Sequence, residues 1–254
     1  QLLQLAREVA GTHTPAEQAW ERDGRYFDAL RPGVEPEGLS SPEEVRSHRA
    51  HHLTRLRQAW TEMDLFIFTL GLTETWLHRD SGTVFPTVPG SIAGHWDPET
   101  YAFHSATFQE VVDDFESLKQ VFSEIRRDRP DPHILLTVSP VPLTATASGS
   151  HVLQATTGSK AILRAAAGQL ADGDPLVDYF PSYEIITNPR AESAFYAPNL
   201  RSVRPEGVQA VMGVFFESHR RRYAASRPKK PPVIVENDED DIPCEEALLE
   251  AFAP

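Results

Sequence analysis

A mixed α/β fold with a mostly parallel sheet is predicted by three observations. The run Asp64-Leu65-Phe66-Ile67-Phe68-Thr69-Leu70 is short, apolar and rich in aromatic and branched residues. Such a run reads as a strand buried on both faces. A second run, His133–Val138, follows after the clearest amphipathic helix pattern in the chain. Strand, helix, strand is a βαβ unit, so the two strands are expected to be parallel with a right-handed crossover. The third observation is the abrupt change after Leu70. Gly71 permits a sharp turn, and Thr73, Glu74 and Thr75 follow as a polar cluster. Ligands of open α/β sheets bind outside the carboxyl ends of the strands, so chemistry is expected at this edge.

The 254 residues are enough for a full core in one or two domains. The composition is globular, and no apolar run approaches the ~20 residues of a membrane helix. No secretory signal pattern opens the chain. The one cysteine, Cys244, excludes an internal disulfide framework and a multi-cysteine zinc site, and fits a reducing compartment such as the cytoplasm. The net charge is −13, of which Arg227 to Pro254 carries −5 and the remainder −8. An acidic body lacks the basic footprint of a nucleic-acid binder.

In order, residues 1–10 have helical spacing, with Leu2, Leu5 and Val9 on one face and Leu3 at its margin. This helix has no cap before it, which suggests sequence upstream. From Gly11 to Ser40 the chain reads as a packed irregular segment with a short helix near Pro15–Trp20. Ser41-Pro42-Glu43-Glu44 is a capping box with proline at the first helical position, opening a helix to about Trp60. His48 and His52 lie one turn apart on it, a spacing that could hold a metal, although no third ligand is visible. The alternative is a solvated face beside Arg46, Arg49 and Arg55.

Leu77 to Ala106 is a long Pro- and Gly-containing stretch with the character of a functional loop or lid. Within it, Val84-Phe85-Pro86 and Tyr101-Ala102-Phe103 could form a small hairpin. Thr107-Phe108-Gln109-Glu110 is a second capping box. Phe108, Val111, Val112, Phe115, Leu118 and Phe122 then repeat at helical spacing up to the arginines Arg126, Arg127 and Arg129. After His133–Val138 comes a loop, Thr144 to Gly158, that holds His151. An Ala-rich helix is expected over Ser159 to Leu170. Leu176–Phe180 and Tyr183–Ile186 read as a strand and its extension across Pro181. Pro205 opens a last helix with Val208, Val211, Met212, Phe215 and Phe216 inward. From 226 on, the acidic, Pro-rich composition cannot bury apolar area and reads as a disordered tail, with Leu248, Leu249 and Phe252 able to form a short docking helix. The domain is therefore expected over 1–225 and the tail over 226–254.

At FTLGLTETW, LTVSPVPLTAT, HVLQATTGSKAILR, DYFPSYEI and NLRSVRPEGVQAVM the chain resembles the GSCFA family, over roughly residues 1–218. That family looks like a branch of the SGNH/GDSL hydrolases. The resemblance implies a three-layer αβα sandwich with a mostly parallel, flavodoxin-like sheet. It also implies a serine nucleophile, an oxyanion block containing Gly-x-Asn, and a late Asp-x-x-His. The name motif Gly-Ser-Cys-Phe-Ala, which would hold the serine, is absent from these residues, so the first strand and the nucleophile are expected upstream of Gln1. The oxyanion block maps onto Gly71-Leu72-Thr73-Glu74, with Thr73 where SGNH enzymes have asparagine. Aligning on Pro205-Glu206-Gly207 puts Asn199 in place of the aspartate and Ser202 in place of the histidine.

With the usual base replaced, His151 is the candidate base, since its loop follows a strand ending at the same sheet edge. Glu74 or Glu184 could orient it, as a base is normally held by a third group. Thr73 and Thr75 could instead cap the turn after the strand. Glu74 could accept backbone N–H bonds or pair with Arg201 or Lys160. Ser139 and the prolines after it would shape the pocket, and Trp76 would be core or pocket wall. Tyr183 and Glu184 could line the site. Arg201 could hold an anionic group there or form a surface salt bridge. Ser159-Lys160 resembles a Ser-Lys pair, but adjacent helix residues do not face each other.

Three functions follow. The first is a serine esterase or acyltransferase acting on an ester, such as an acyl group on a carbohydrate, without metal or organic cofactor. The second is an inactive SGNH-like module that recognises a glycan or a partner protein. A third is an interaction protein that uses the acidic tail. A sheet lacking its first strand would leave an open edge, so this chain alone is expected to be poorly soluble, or to self-associate or pair with the missing segment.

Overall fold

The computed structural model describes residues 1–188 and 195–223. The chain runs α1 (Leu2–Ala10), β1 (Ala19–Arg22), β2 (Arg25–Asp28), α2 (Pro42–Glu62), β3 (Leu65–Leu70), β4 (Glu74–His78), β5 (Val84–Phe85) and β6 (Tyr101–Ser105). It continues through α3 (Phe108–Ile125), β7 (His133–Val138), α4 (Val152–Gly173), β8 (Val177–Tyr179), α5 (Ser182–Thr187) and α6 (Pro205–Tyr223). The chain divides into two compact units, Gln1–Val211 and Met212–Pro254. The tail expected from 226 lies outside the described residues, as do Cys244, Leu248, Leu249 and Phe252.

The expected parallel pairing is present. β3 pairs with β7 from Leu65↔His133 to Leu70↔Val138, and β7 pairs with β8 from Ile134↔Val177. The sheet order is β3-β7-β8. Phe66, Phe68 and Leu70 share one face and meet the helices. Phe66 lies 5.1 Å from Phe122, Phe68 6.0 Å from Phe115, and Trp60 packs edge-on against Phe66. Helices α1 to α4 contribute to this one core. On the other face the short α5 meets β7, where Ser182 bonds Thr137. That leaves Leu65 44% and Ile67 53% exposed. The strand is therefore buried on one face only, because no described element covers its other side. The fold is mixed α/β around a parallel three-stranded sheet.

The helix ends follow local chemistry. α1 closes with Gly11 at φ 79°, its N–H reaching Glu8 O and the N–H of Thr12 reaching Arg7 O, a Schellman closure. At α3 both halves of the Thr107/Glu110 capping box form. At α2 only half forms. Ser41 Oγ accepts from Glu44 N, but the Glu44 carboxylate turns to the N–H and hydroxyl of Ser40. Arg126, 3% exposed, is placed by the C-terminus of α2, donating to Trp60 O and Thr61 O at 2.8 and 3.0 Å.

A second, antiparallel sheet of order β5-β4-β6 grows from the site turn. The stretch expected as a loop supplies most of this sheet, and Val84-Phe85 and Tyr101–Phe103 flank β4 on either side rather than pairing together. Its core holds Trp20, Phe27, Phe85 and Tyr101. The short helix expected near Pro15–Trp20 is instead the β1–β2 hairpin. Asp23 (φ 52°) and Gly24 (φ 74°) make its two-residue turn, an Asp-Gly signal of the primed type. Tyr183–Ile186 forms helix α5 and not a strand. In α6 the residues expected to face inward include Val208, Met212 and Phe216, which are 52%, 39% and 52% exposed. Gly207 is the close-packed position instead, with Val203 and Ile186 beside its Cα.

Arg49, 2% exposed, binds Glu8 at 2.6 Å and Asp28 at 3.2 Å, tying α1, α2 and β2 together. His48 sits 3.7 Å from Glu35, and no group of three metal-binding side chains occurs among the described residues. No described helix is long and apolar enough to cross a membrane.

Candidate functional site

The C-terminal ends of β3 and β7 meet the turn Gly71–Thr73 and the loop from Ser139. Ser139 N–H donates to Leu70 O at 2.9 Å, and the Ser139 hydroxyl accepts from Val141 N at 3.2 Å. Ser139, 7% exposed, thus bends its own loop.

Two residues of α4 grip the turn. Lys160 Nζ donates to Gly71 O at 2.8 Å, and Ser159 Oγ accepts from Thr73 N at 2.9 Å. Both are buried, Ser159 at 3% and Lys160 at 2% exposure. Adjacent positions on a helix do not face each other, but both can reach the ends of one short turn packed across them. This clamp is the feature that sequence reasoning set aside. Its signal was a lysine within an otherwise Ala-rich helix, where a buried cation needs partners.

Thr73 is itself 3% exposed and fully engaged. Its hydroxyl lies 3.0 Å from Ser105 Oγ, and its carbonyl accepts from Ala106 N at 2.9 Å. It anchors the start of β4 to β6. Glu74, the first residue of β4, is half-buried and accepts from the Thr146 hydroxyl at 2.5 Å. That bond carries the Thr144–Ser150 loop onto the site, and Thr146 is itself 2.8 Å from Ser148 Oγ.

His151 caps α4. Its Nδ1 accepts from Leu153 N at 3.3 Å, and the side chain is exposed. An imidazole accepting at Nδ1 carries its neutral-state proton on Nε2, so in this arrangement Nε2 donates and does not accept. No hydrogen bond joins His151 to Glu74 or Glu184 among the described residues. Glu184 is engaged by Arg164 and by Tyr179 OH at 2.8 Å, with Arg164 stacked 4.1 Å over the Tyr179 ring. Burial, then the hydrogen bond to Glu184, pushes the Tyr179 phenol well above its usual range. Tyr183 packs against the main core.

The segment 195–204 docks on the same edge. Tyr196 OH donates to Pro140 O at 2.9 Å, and Arg201 Nη2 reaches Pro142 O at 3.4 Å. Asn199 Oδ1 accepts the N–H groups of Arg201 and Ser202, and its amide donates to Ser202 Oγ at 2.9 Å. The pair at the expected Asp and His positions therefore closes on itself as a turn.

At the opposite edge of the sheet lies a depression of about 550 Å³ lined by Arg57, Thr61, Arg126, Arg127 and Arg129 among others. Two of its arginines answer helix C-termini: Arg57 donates to Val9 O, and Arg126 to the last carbonyls of α2. Helix C-termini carry negative partial charge and oppose anion binding there.

The protein is thus of the mixed α/β class, with a gripped turn and converging polar loops at the carboxyl edge of a parallel three-stranded sheet. The chain belongs to the GSCFA family, whose model matches residues 1–215. No curated protein and no solved structure shows significant similarity to it.

Proposed function

We propose that this GSCFA chain forms the binding and positioning half of an SGNH-type acyl-ester site, in a flavodoxin-like αβα arrangement. The reaction would be serine-based transfer of an acyl group carried by a carbohydrate or polysaccharide, to water or to another hydroxyl. The observation that supports it is the clamp of Ser159 and Lys160 on Gly71–Thr73. It fixes the backbone at the position where SGNH enzymes have their oxyanion block, as preorganised stabilisation requires. The attacking serine would be that of the Gly-Ser-Cys-Phe-Ala block, which these 254 residues do not contain. Its oxygen would bond to the acyl carbon, and the sugar oxygen would leave with a proton. Glu74 and Ser139 would border the acceptor side and Arg201 the outer rim. His151 would serve as base only after releasing Leu153 N. No metal or organic cofactor is needed.

A second reading is a glycan-binding module without turnover. It is favoured by the self-closed Asn199–Ser202 turn and by the use of His151 as a cap. The test is reaction of protein carrying the Gly-Ser-Cys-Phe-Ala block with a fluorophosphonate, alongside acetate release from acetylated oligosaccharides. Labelling that disappears in the Ser→Ala variant supports the first reading. Folded protein that neither labels nor releases acetate supports the second.

A further inference from the structure

The aromatic residues of the β4–β6 sheet form a continuous series that the ester chemistry does not use. It begins in the second core and ends at the surface. Phe85 is fully buried, Tyr101 lies 5.9 Å from it, and Trp96 stacks on Tyr101 at 6.0 Å and 26°. Trp96 then meets Trp76 at 5.0 Å, and Trp76 meets Phe103 at 5.6 Å. Trp96 is 37% exposed, and Trp76 and Phe103 are half-buried.

The register places this surface beside the site. Glu74 and Trp76 are two residues apart on β4 and so project from the same face. Their partners on β6 are Ser105 and Phe103. Running from Trp96 toward the sheet edge, the surface passes from rings to the exposed Ser105, then Glu74, then the Thr146 and Ser148 hydroxyls. A carboxylate offers about four acceptor positions, and Thr146 uses one.

We propose that the Trp76–Trp96–Phe103 surface beside Glu74 is a stacking subsite for a neutral pyranose residue of an oligosaccharide. The proposal rests on the glycan reading above and supplies its recognition element. Ring faces match the flat C–H face of a pyranose, and Glu74 with the hydroxyls matches its O–H groups. A cation is the rival suggested by rings beside a carboxylate. The ring centroids, however, are at contact separation, so no gap between the rings can enclose an ammonium. An anionic sugar would meet Glu74 with like charge.

The test is titration of the wild-type chain with cellohexaose, mannohexaose and laminarihexaose, followed by tryptophan fluorescence and calorimetry. Trp20 and Trp60 are 3% and 6% exposed, so a sugar-induced fluorescence change reports Trp76 and Trp96. At least one hexasaccharide should bind with Kd below about 5 mM. Trp96→Ala should weaken it by about tenfold, and Trp96→Phe should retain most of the binding. Glu74→Gln, which keeps one acceptor, should lose less than Glu74→Ala. Circular dichroism of each variant separates lost binding from lost fold. Absence of binding by all three sugars overturns the proposal. So does binding indifferent to Trp96 and Glu74 in folded variants, tighter binding of a galacturonate hexamer, or displacement by choline. Acetate release without saturable sugar binding would leave the ester reading standing and overturn this one. Sugar binding without turnover would support this subsite within the module reading.

Discussion

Replacing Ser159 by alanine removes the acceptor of the Thr73 N–H. Both residues are 3% exposed and the bond is 2.9 Å long, so water does not take the vacated place freely. A buried donor left unpaired costs about 1–3 kcal/mol, and the lost hydroxyl volume adds little. With about 2 kcal/mol as the centre, a chain of this size should melt about 4–8 °C lower. The midpoint of a urea titration should fall with an unchanged slope, because the exposed area on unfolding is the same. The Thr73 amide should also exchange with solvent faster than in wild type, beyond the change expected from global stability. Ser159→Thr keeps the oxygen and should stay within about 1 kcal/mol of wild type, the residue being a slightly poorer helix former. An alanine variant within about 0.5 kcal/mol of wild type, with Thr73 exchange unchanged, would refute the clamp as a structural device.

Arg126→Ala leaves Trp60 O, Thr61 O and Pro130 O without their guanidinium donor. A loss of about 3 kcal/mol is expected by denaturant titration, and Arg126→Lys should recover less than half, since an ammonium cannot span the three carbonyls. His52 lies near Arg49 and Arg31, and burial first, then those charges, lowers its pKa below 6.5. The folded state resists protonation that the unfolded state accepts, so this contribution is present above pH 6.5 and lost as pH falls through the lowered folded value. The wild type should therefore lose more stability than His52→Gln between pH 7.5 and 5.5 in parallel melts; equal losses would exclude the effect. Gly94, at φ 77°, has the Trp20 ring 2.9 Å from where a Cβ would sit. Gly94→Ala should cost about 1–3 kcal/mol by overpacking the second core, read as a lower melting temperature.

What was legible depended on whether the signal was local. The helices starting at Pro42 and Phe108 carry Ser41 and Thr107 at their caps, and proximity in sequence is enough to specify those bonds. The parallel pairing of Leu65–Leu70 with His133–Val138 follows from the intervening helix. By contrast, LFIFTL looks the same whether one or both faces are covered, and only the tertiary arrangement leaves Leu65 and Ile67 exposed. Tyr183–Ile186 has strand-like residues, yet Ser182 is held by Thr137 and Val138 O just past Pro181, and the chain winds into α5. Asp23-Gly24 did carry a hairpin signal. It was obscured because the flanking strands are only four residues long and half of their residues are charged.

The site shows the same division. Gly71 to Glu74 was found from the end of a strand, since strand ends in parallel sheets are where loops converge. The grip of Ser159 and Lys160 was hidden by the rule that helix neighbours point apart. That rule forbids contact between the two side chains. It does not forbid both from reaching a third element, and Gly71 O and Thr73 N are separated by only two residues along a turn lying across α4. The two edges of the sheet are then built oppositely. At the amino edge, Arg57 and Arg126 donate to carbonyls at the C-termini of α1 and α2. At the carboxyl edge, a buried lysine and serine hold backbone, while Glu74, Ser105 and the Thr146 loop stay near the surface beside the exposed Trp96 and the half-buried Trp76 and Phe103. The proposed recognition surface therefore lies at the carboxyl edge, and the arginine-lined depression of about 550 Å³ at the other.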